Sequence, residues 1–201
     1  ERLAQSPLSA VDTETDSLDP MRAHIVGISW SVQAGHAAYV PTGHNGPDAP
    51  EQLKLDAVLQ RLKPWLENAQ SLKVGQNIKY DMHVFENHGI RVQGYQHDTM
   101  LQSYVLDAHL THGLDRLAQR HLNRAGLSYE DVCGKGAHQI PFAQVDVALA
   151  TRYSGEDSEM TWAVSEALWP RIQADVGFRR IYSEIEMPAC KILQRIERHG
   201  V

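Results

Sequence analysis

Apolar residues along this chain fall into two rhythms. Short β-branched or aromatic runs mark the first forty residues, and stripes spaced by three and four mark most of the remaining chain. Leu8–Asp12, built on Leu8-Ser9-Ala10-Val11, predicts a short buried strand. His24–Ser31, "HIVGISWS", and His36–Val40, "HAAYV", predict two more, with Gly35 turning the hairpin between them. The tract 41–50, "PTGHNGPDAP", is turn-forming. Leu53, Leu55, Val58, Leu59, Leu62 and Leu66 then mark one face of a helix that Pro64 should bend or end. A brief strand is expected over 71–74, succeeded by a helix from Asn77 to about Asn87 that Gly89 stops. Helices are expected over 98–107 and 113–122, the first turning Leu101, Tyr104 and Val105 to the core. Residues 123–141 read as irregular, with room for one short helix, and 144–175 and 179–199 as long helices. Early strands and then a strand–helix pattern predict the α/β class, a mixed sheet with helices packed on it.

Composition narrows the function. A chain of 201 residues, 42% hydrophobic, can bury a real core. Its formal charge of -6 argues against coating duplex nucleic acid electrostatically, but leaves open a grip on a strand end through bound cations. Cys133 and Cys190 lie far apart and form no CxxC pair, so neither a disulfide framework nor a cysteine zinc site is expected. No apolar run approaches the ~18–20 residues that span a bilayer, and no membrane association is expected. A start at Glu1 and a stop just after "RIERHG" read as the ends of a piece of something longer.

The acids carry the chemistry. Residues two apart on a strand share a side, so Asp12 and Glu14 in "AVDTET" can converge. Residues four apart share a helix face, which pairs Asn77 with Asp81 in "VGQNIKYD" and Tyr153 with Asp157 in "RYSGED". Four carboxylates brought together repel, and two divalent cations relieve that repulsion. Oxygen-rich sites suit magnesium or manganese, and a pair ~3.5–4 Å apart suits in-line phosphoryl displacement. Taken singly, Asp81 and Asp157 are solvated-face residues, Asn77 is a helix cap and Tyr153 is a packed aromatic. Asp16 and Asp19 belong to a turn that Pro20 continues. The "GKG" at 134–136 lacks the setting of a phosphate loop, and His109 with His112 lacks a third ligand for zinc.

"DTETDSLD", "VGQNIKYD" and "RYSGED" resemble, in order and interval, the three exonuclease motifs of the 3′–5′ proofreading domain of bacterial family A DNA polymerases. The likeness extends through "DTMLQSYVLD", "LDRLAQRHL" and "GKGAHQIPF" to "EIEMPACKILQRIERHGV", which looks like the run into that family's polymerase domain. It implies a ribonuclease H-like fold of about five strands flanked by helices, with residues 1–180 as exonuclease domain and 181–201 as a helical lead into an absent polymerase domain. It also implies a monomer working in the bacterial cytoplasm, beside the nucleoid.

The implied activity is metal-dependent removal of 5′-mononucleotides from the 3′ end of single-stranded, frayed or mismatched DNA. By the same resemblance, Asp12, Glu14 and Asp157 hold a first Mg2+ or Mn2+, Asp12 is shared with a second, and Asp81 reaches that second ion through water. Glu14 and Tyr153 orient the attacking water. Leu18 and Phe142 match apolar wedges or stacking partners for the strand end, although either would also suit a core. Gln76, Asn77 and Tyr80 lie beside the scissile end, and Arg120 matches a basic position. Two rivals stay open: a ribonuclease D-like 3′–5′ exoribonuclease, and a catalytically silent spacer or strand-binding module. The apolar residues Ile181, Ile185, Met187, Ile192, Leu193 and Ile196 are expected to be partly exposed where a polymerase domain is missing.

Overall fold

The computed structural model describes residues 2–200. A single helical turn, α1 (Arg2–Gln5), precedes the antiparallel strands β1 (Ser9–Thr15), β2 (Ile25–Gln33) and β3 (His36–Pro41). Helix α2 (Leu55–Leu66) leads to β4 (Lys73–Gly75), and α3 (Ile78–Asn87) leads to β5 (Tyr95–Asp98). Both β4 and β5 run parallel to β1, giving one five-stranded mixed sheet in the order β3-β2-β1-β4-β5. The remainder is helical: α4 (Thr99–Asp107), α5 (Leu114–Leu122), α6 (Tyr129–Cys133), the long α7 (Val147–Ala174), α8 (Val176–Arg180) and α9 (Met187–Arg198). A π-helical turn at Ile181–Glu186 joins the last two.

Helix α7 lies across β1, β2 and β3 on one face of the sheet. Val11, Ile25 and Ile28 join a core with Val58, Leu59 and Leu66 of α2 and Ile78, Val84 and Phe85 of α3. A smaller core gathers Val26, Tyr39, Phe142, Val145 and Ala150 near the start of α7. Cys133 and Cys190 are buried free thiols.

Several elements depart from the sequence pattern. Strand β1 runs to Thr15 rather than stopping at Asp12, because β2 pairs with it through Asp12↔Ser29 and Glu14↔Gly27. Both acids therefore sit inside a paired strand. Strand β5 was not expected: its "YQHD" is short and polar, and pairing with β4 makes it a strand. Leu53 lies before α2 and is exposed, while Pro64 falls in the helix's last turns, two residues short of its end. Tyr104 is not core. It is 46% exposed and stacks on the His112 ring with centroids 3.7 Å apart.

The segment past residue 180 mixes both characters. Tyr182, Met187 and Cys190 enter the main core, so Met187 is not part of the exposed set. Ile181, Ile185, Ile192, Leu193 and Ile196 face outward. Helix α9 is pinned to α3 through Glu197, which pairs with both Lys79 and His83, and through Gln194, which donates to Glu86 at 2.7 Å. Among the described residues no helix is long and apolar enough to cross a membrane.

Candidate active site

The site forms where β1 outruns its parallel neighbour. Strand β4 pairs with β1 only at Ser9↔Lys73 and Ala10↔Val74, and the chain then turns away into α3. Beyond Ala10 the β1 edge has no strand beside it, and the amide of Thr13 needs another acceptor. Asp81, in the first turn of α3, supplies it. Its Oδ1 accepts from the Thr13 amide at 3.1 Å and from the Thr13 hydroxyl at 2.6 Å.

Asp12 and Glu14 lie on the side of β1 covered by α7. Ser154 of α7 is fully buried and donates to Glu14 Oε1 at 2.8 Å. Tyr153 and Asp157 project from the same helix, near enough for the Asp157 charge to raise the phenol.

All four carboxyls are driven toward their protonated forms. Burial pushes Asp12 up to about 7, against a pull from the Thr13 amide. Burial, and after it the charge of Asp12, lifts Asp157 to about 8, and the same two causes raise Glu14 and Asp81 well above the carboxylate range. Asp12 is thus the charge that each of the other three feels. Burial, then Asp157 and Glu14, also raises the Tyr153 phenol, which stays protonated at neutral pH.

Such a donor set fits a hard divalent ion. It is all oxygen, largely withdrawn from solvent and short of positive charge. Among the described residues no three His, Cys, Asp or Glu side chains are already drawn together tightly enough to hold one ion.

The turn into α3 is held from an unexpected quarter. Asn77 adopts a left-handed conformation, φ 60°, and its side chain caps nothing. Asp98, at the end of β5, instead accepts from the amides of Asn77 and Ile78 at 3.1 and 2.9 Å. The same carboxylate caps α4, accepting from Met100 and Leu101 at 2.9 and 3.3 Å. One buried acid therefore fixes the entry of two helices, and with it the aim of Asp81.

The expected strand-end residues divide. Leu18 stands 97% exposed in the turn after β1. Phe142 is 1% exposed, packed between the rings of His44 and Tyr153 with centroids 5.8 and 5.9 Å away, so it backs the site and offers no open stacking face. Gln76 spends its amide on the protein, donating to the His112 carbonyl at 2.8 Å and accepting from Thr99. The Tyr80 hydroxyl donates to the Ser17 carbonyl at 2.6 Å and pairs with Thr15, bracing the turn that carries Leu18. Arg120 is exposed and donates to the Thr111 carbonyl at 3.0 Å.

Sequence reading missed Thr13, Ser154 and Asp98 as site supports. Only Asp98 left a signal, an Asp just ahead of a helical run.

Comparison with known proteins adds the family. A family model described as a 3′–5′ exonuclease, that of the DNA polymerase A type, matches residues 1–173. The chain belongs to this family. DNA polymerase I of Pseudomonas aeruginosa is 45% identical to this chain over 202 residues, covering 99% of it and 22% of that polymerase. DNA polymerase I of Rhizobium leguminosarum is 38% identical over 212 residues, covering 96% and 21%. The chain spans about a fifth of the length of these curated relatives.

Among solved structures, the POL domain of Pol1 from M. smegmatis, in complex with DNA primer-template and dNTP, matches with a TM-score of 0.71 at 18% identity, covering 97% of this chain and 29% of that one. Escherichia coli RNase D, an exoribonuclease involved in structured RNA processing, matches at 0.69 and 16%, covering 99% and 47%. Brucella melitensis NrnC with bound Mg2+ matches at 0.64 and 18%, covering 98% and 87%. At these identities the likeness concerns the fold, and the mixed five-stranded sheet flanked by helices is the ribonuclease H-like exonuclease fold.

Proposed function

We propose that this domain removes nucleotides one at a time from the 3′ end of DNA, as the proofreading part of a bacterial DNA polymerase I. The observation that carries the proposal is four carboxyls on β1, α3 and α7, Glu14 and Asp81 buried and Asp12 and Asp157 half-buried, with Asp12 raising the other three. Membership of the exonuclease family supports it. So does a relative 45% identical over 99% of the chain.

Asp12, Glu14 and Asp157 would hold a first divalent ion, Mg2+ or Mn2+, and Asp12 and Asp81 a second. Bound there, the ions would make water a nucleophile near neutral pH and neutralise charge growing on the phosphate. The protein's own groups do the rest. Thr13 holds Asp81 and Ser154 holds Glu14, so neither carboxyl must be reoriented when substrate arrives. Tyr153 keeps its proton and orients the water as a hydrogen-bond partner, together with Glu14. Leu18 offers an apolar surface to an unpaired terminal base. Asn77 and Tyr80 would lie beside the strand end, while Gln76 and Phe142 serve as framework.

The experiment is a comparison of 5′-labelled single strands, DNA beside RNA, with and without magnesium. Stepwise shortening of DNA from the 3′ end that needs the metal supports the proposal. Faster loss of RNA would favour a ribonuclease D-like activity, and no loss of either strand would favour a silent binding module.

A further inference from the structure

Helix α3, which carries Asp81, is held at its start and along its back by the segment that follows residue 180. At the start the link runs through Asp98. Strand β5 is the edge of the sheet, and the Asp98 amide at its end donates to the Tyr182 hydroxyl at 2.8 Å. Both residues are 1% exposed. The Tyr182 ring packs against the rings of His97 and Trp169, with centroids 6.2 and 5.8 Å away, so packing aims the hydroxyl. The Asp98 carboxylate then accepts from the amides of Asn77 and Ile78, at the mouth of the turn that carries Asp81.

The backbone at this point does not hold itself. Asn77 is left-handed at φ 60°, a conformation that a residue with a side chain keeps only where its surroundings fix it. Its own side chain caps nothing, so the fixing falls to Asp98. A relaxed Asn77 would swing the first turn of α3 and draw Asp81 away from Thr13. Along its back α3 is gripped by α9. Glu197 pairs with Lys79 and, at 2.8 Å, with the buried His83, and these two partners flank Asp81 in sequence. Gln194 donates to Glu86 at 2.7 Å, and Arg198 donates to the His83 carbonyl. Both routes begin beyond residue 180, with Tyr182 in the π-helical turn and the other three residues on α9. Single π-helical turns recur at functional sites.

We propose that Asp98 and Tyr182 are positioning residues for Asp81, which makes the segment after residue 180 a working part of the exonuclease unit. This inference rests on the exonuclease reading for the role of Asp81 at the second ion. The outer partners of a metal ligand set its orientation, and their loss weakens the ion that ligand serves. Asp12, Glu14 and Asp157 stand on β1 and α7, outside this route, so the first ion should be spared.

The test compares the full chain with Tyr182→Phe, which keeps the ring and deletes the hydroxyl, and with Asp98→Asn, which turns one acceptor into a donor facing an α3 amide. Three quantities are read: hydrogen exchange of the Thr13 amide by NMR without metal, Mn2+ affinity at both sites by calorimetry, and the single-turnover rate on 5′-labelled single-stranded DNA with magnesium. Tyr182→Phe should speed Thr13 exchange about fivefold, with the amides that β1 and β2 share staying within about twofold of the parent. Asp98→Asn should speed it by about tenfold or more. In Tyr182→Phe the second Mn2+ should bind about fivefold more weakly and the first within about twofold of the parent. Excision should slow by about five- to tenfold. Parental Thr13 exchange in Tyr182→Phe would overturn the inference. So would faster exchange along the whole β1–β2 ladder with both ions weakened alike, the mark of a merely structural loss. If the parent chain removes no nucleotide, the exonuclease reading fails separately, and Thr13 exchange still decides this one. Should Asp98→Asn not fold, Tyr182→Phe alone carries the test.

Discussion

Thr13 grips Asp81 with both of its donors, the backbone amide at 3.1 Å and the hydroxyl at 2.6 Å. The pair joins β1 to α3 beyond the point where β4 stops pairing with β1. Thr13→Val keeps the amide bond and deletes the hydroxyl. It should cost about 1–2 kcal/mol of stability, because a buried acceptor loses a partner. Single-turnover excision should fall by about tenfold as Asp81 gains freedom. Urea midpoints and quench-flow rates on one preparation check both.

Asp12→Ala removes the charge that raises the other three carboxyls. Excision should drop by several orders of magnitude while metal-free stability stays level or rises, since a source of repulsion is gone. Asp81→Ala should also lose most activity but keep tighter binding of a first Mn2+. A calorimetric titration of each variant separates these outcomes.

The metal-free protein should lose stability as pH rises. Asp12 and Asp157 titrate in the folded protein at about 7 and about 8, against an ordinary value of 3.8. Between about pH 4 and about pH 8 the folded chain therefore holds protons that the unfolded chain has released, and stability falls across that window. Thermal melts in chelator should show a lower midpoint at about pH 8 than at about pH 5, and magnesium should narrow the gap by neutralising the ionised acids.

Tyr153→Phe should lower the single-turnover rate by about ten- to a hundredfold, with DNA and metal affinity nearly unchanged. The phenol is held protonated, so its loss removes orientation rather than a base, and more magnesium should not restore the rate. A Phe variant as fast as the parent would make Tyr153 a packing residue only.

Leu18 and Phe142 should behave as opposites. Leu18→Ala should leave stability within about 0.5 kcal/mol and weaken single-strand binding severalfold. Phe142→Ala should cost about 3–5 kcal/mol, as for a core aromatic, because its ring backs Tyr153 and His44. Chemical denaturation and fluorescence anisotropy on both variants are the measurements.

What the sequence determined by itself was local. The two-residue spacing of Asp12 and Glu14 and the four-residue spacing of Tyr153 and Asp157 assign each pair a common face, because backbone geometry alone sets those periods. The amphipathic stripe of α2 was legible for the same reason, and α3 by the Gly89 that stops it. The family motifs then named the acids without any coordinates. Tertiary structure decided whatever depends on a partner far along the chain. Thr13 finds Asp81 across 68 residues, and Ser154 finds Glu14 across 140. Strand β5 exists through its neighbour β4, so its polar "YQHD" carried little pattern of its own. Phe142, which the resemblance offered as a wedge or stacking partner, is buried behind Tyr153, and Tyr104, expected in the core, lies on His112 near solvent. Asp98 shows the division most plainly. Its place before a helix was readable, but its hold on α3 was not, because α3 and α4 begin side by side only after the sheet has formed.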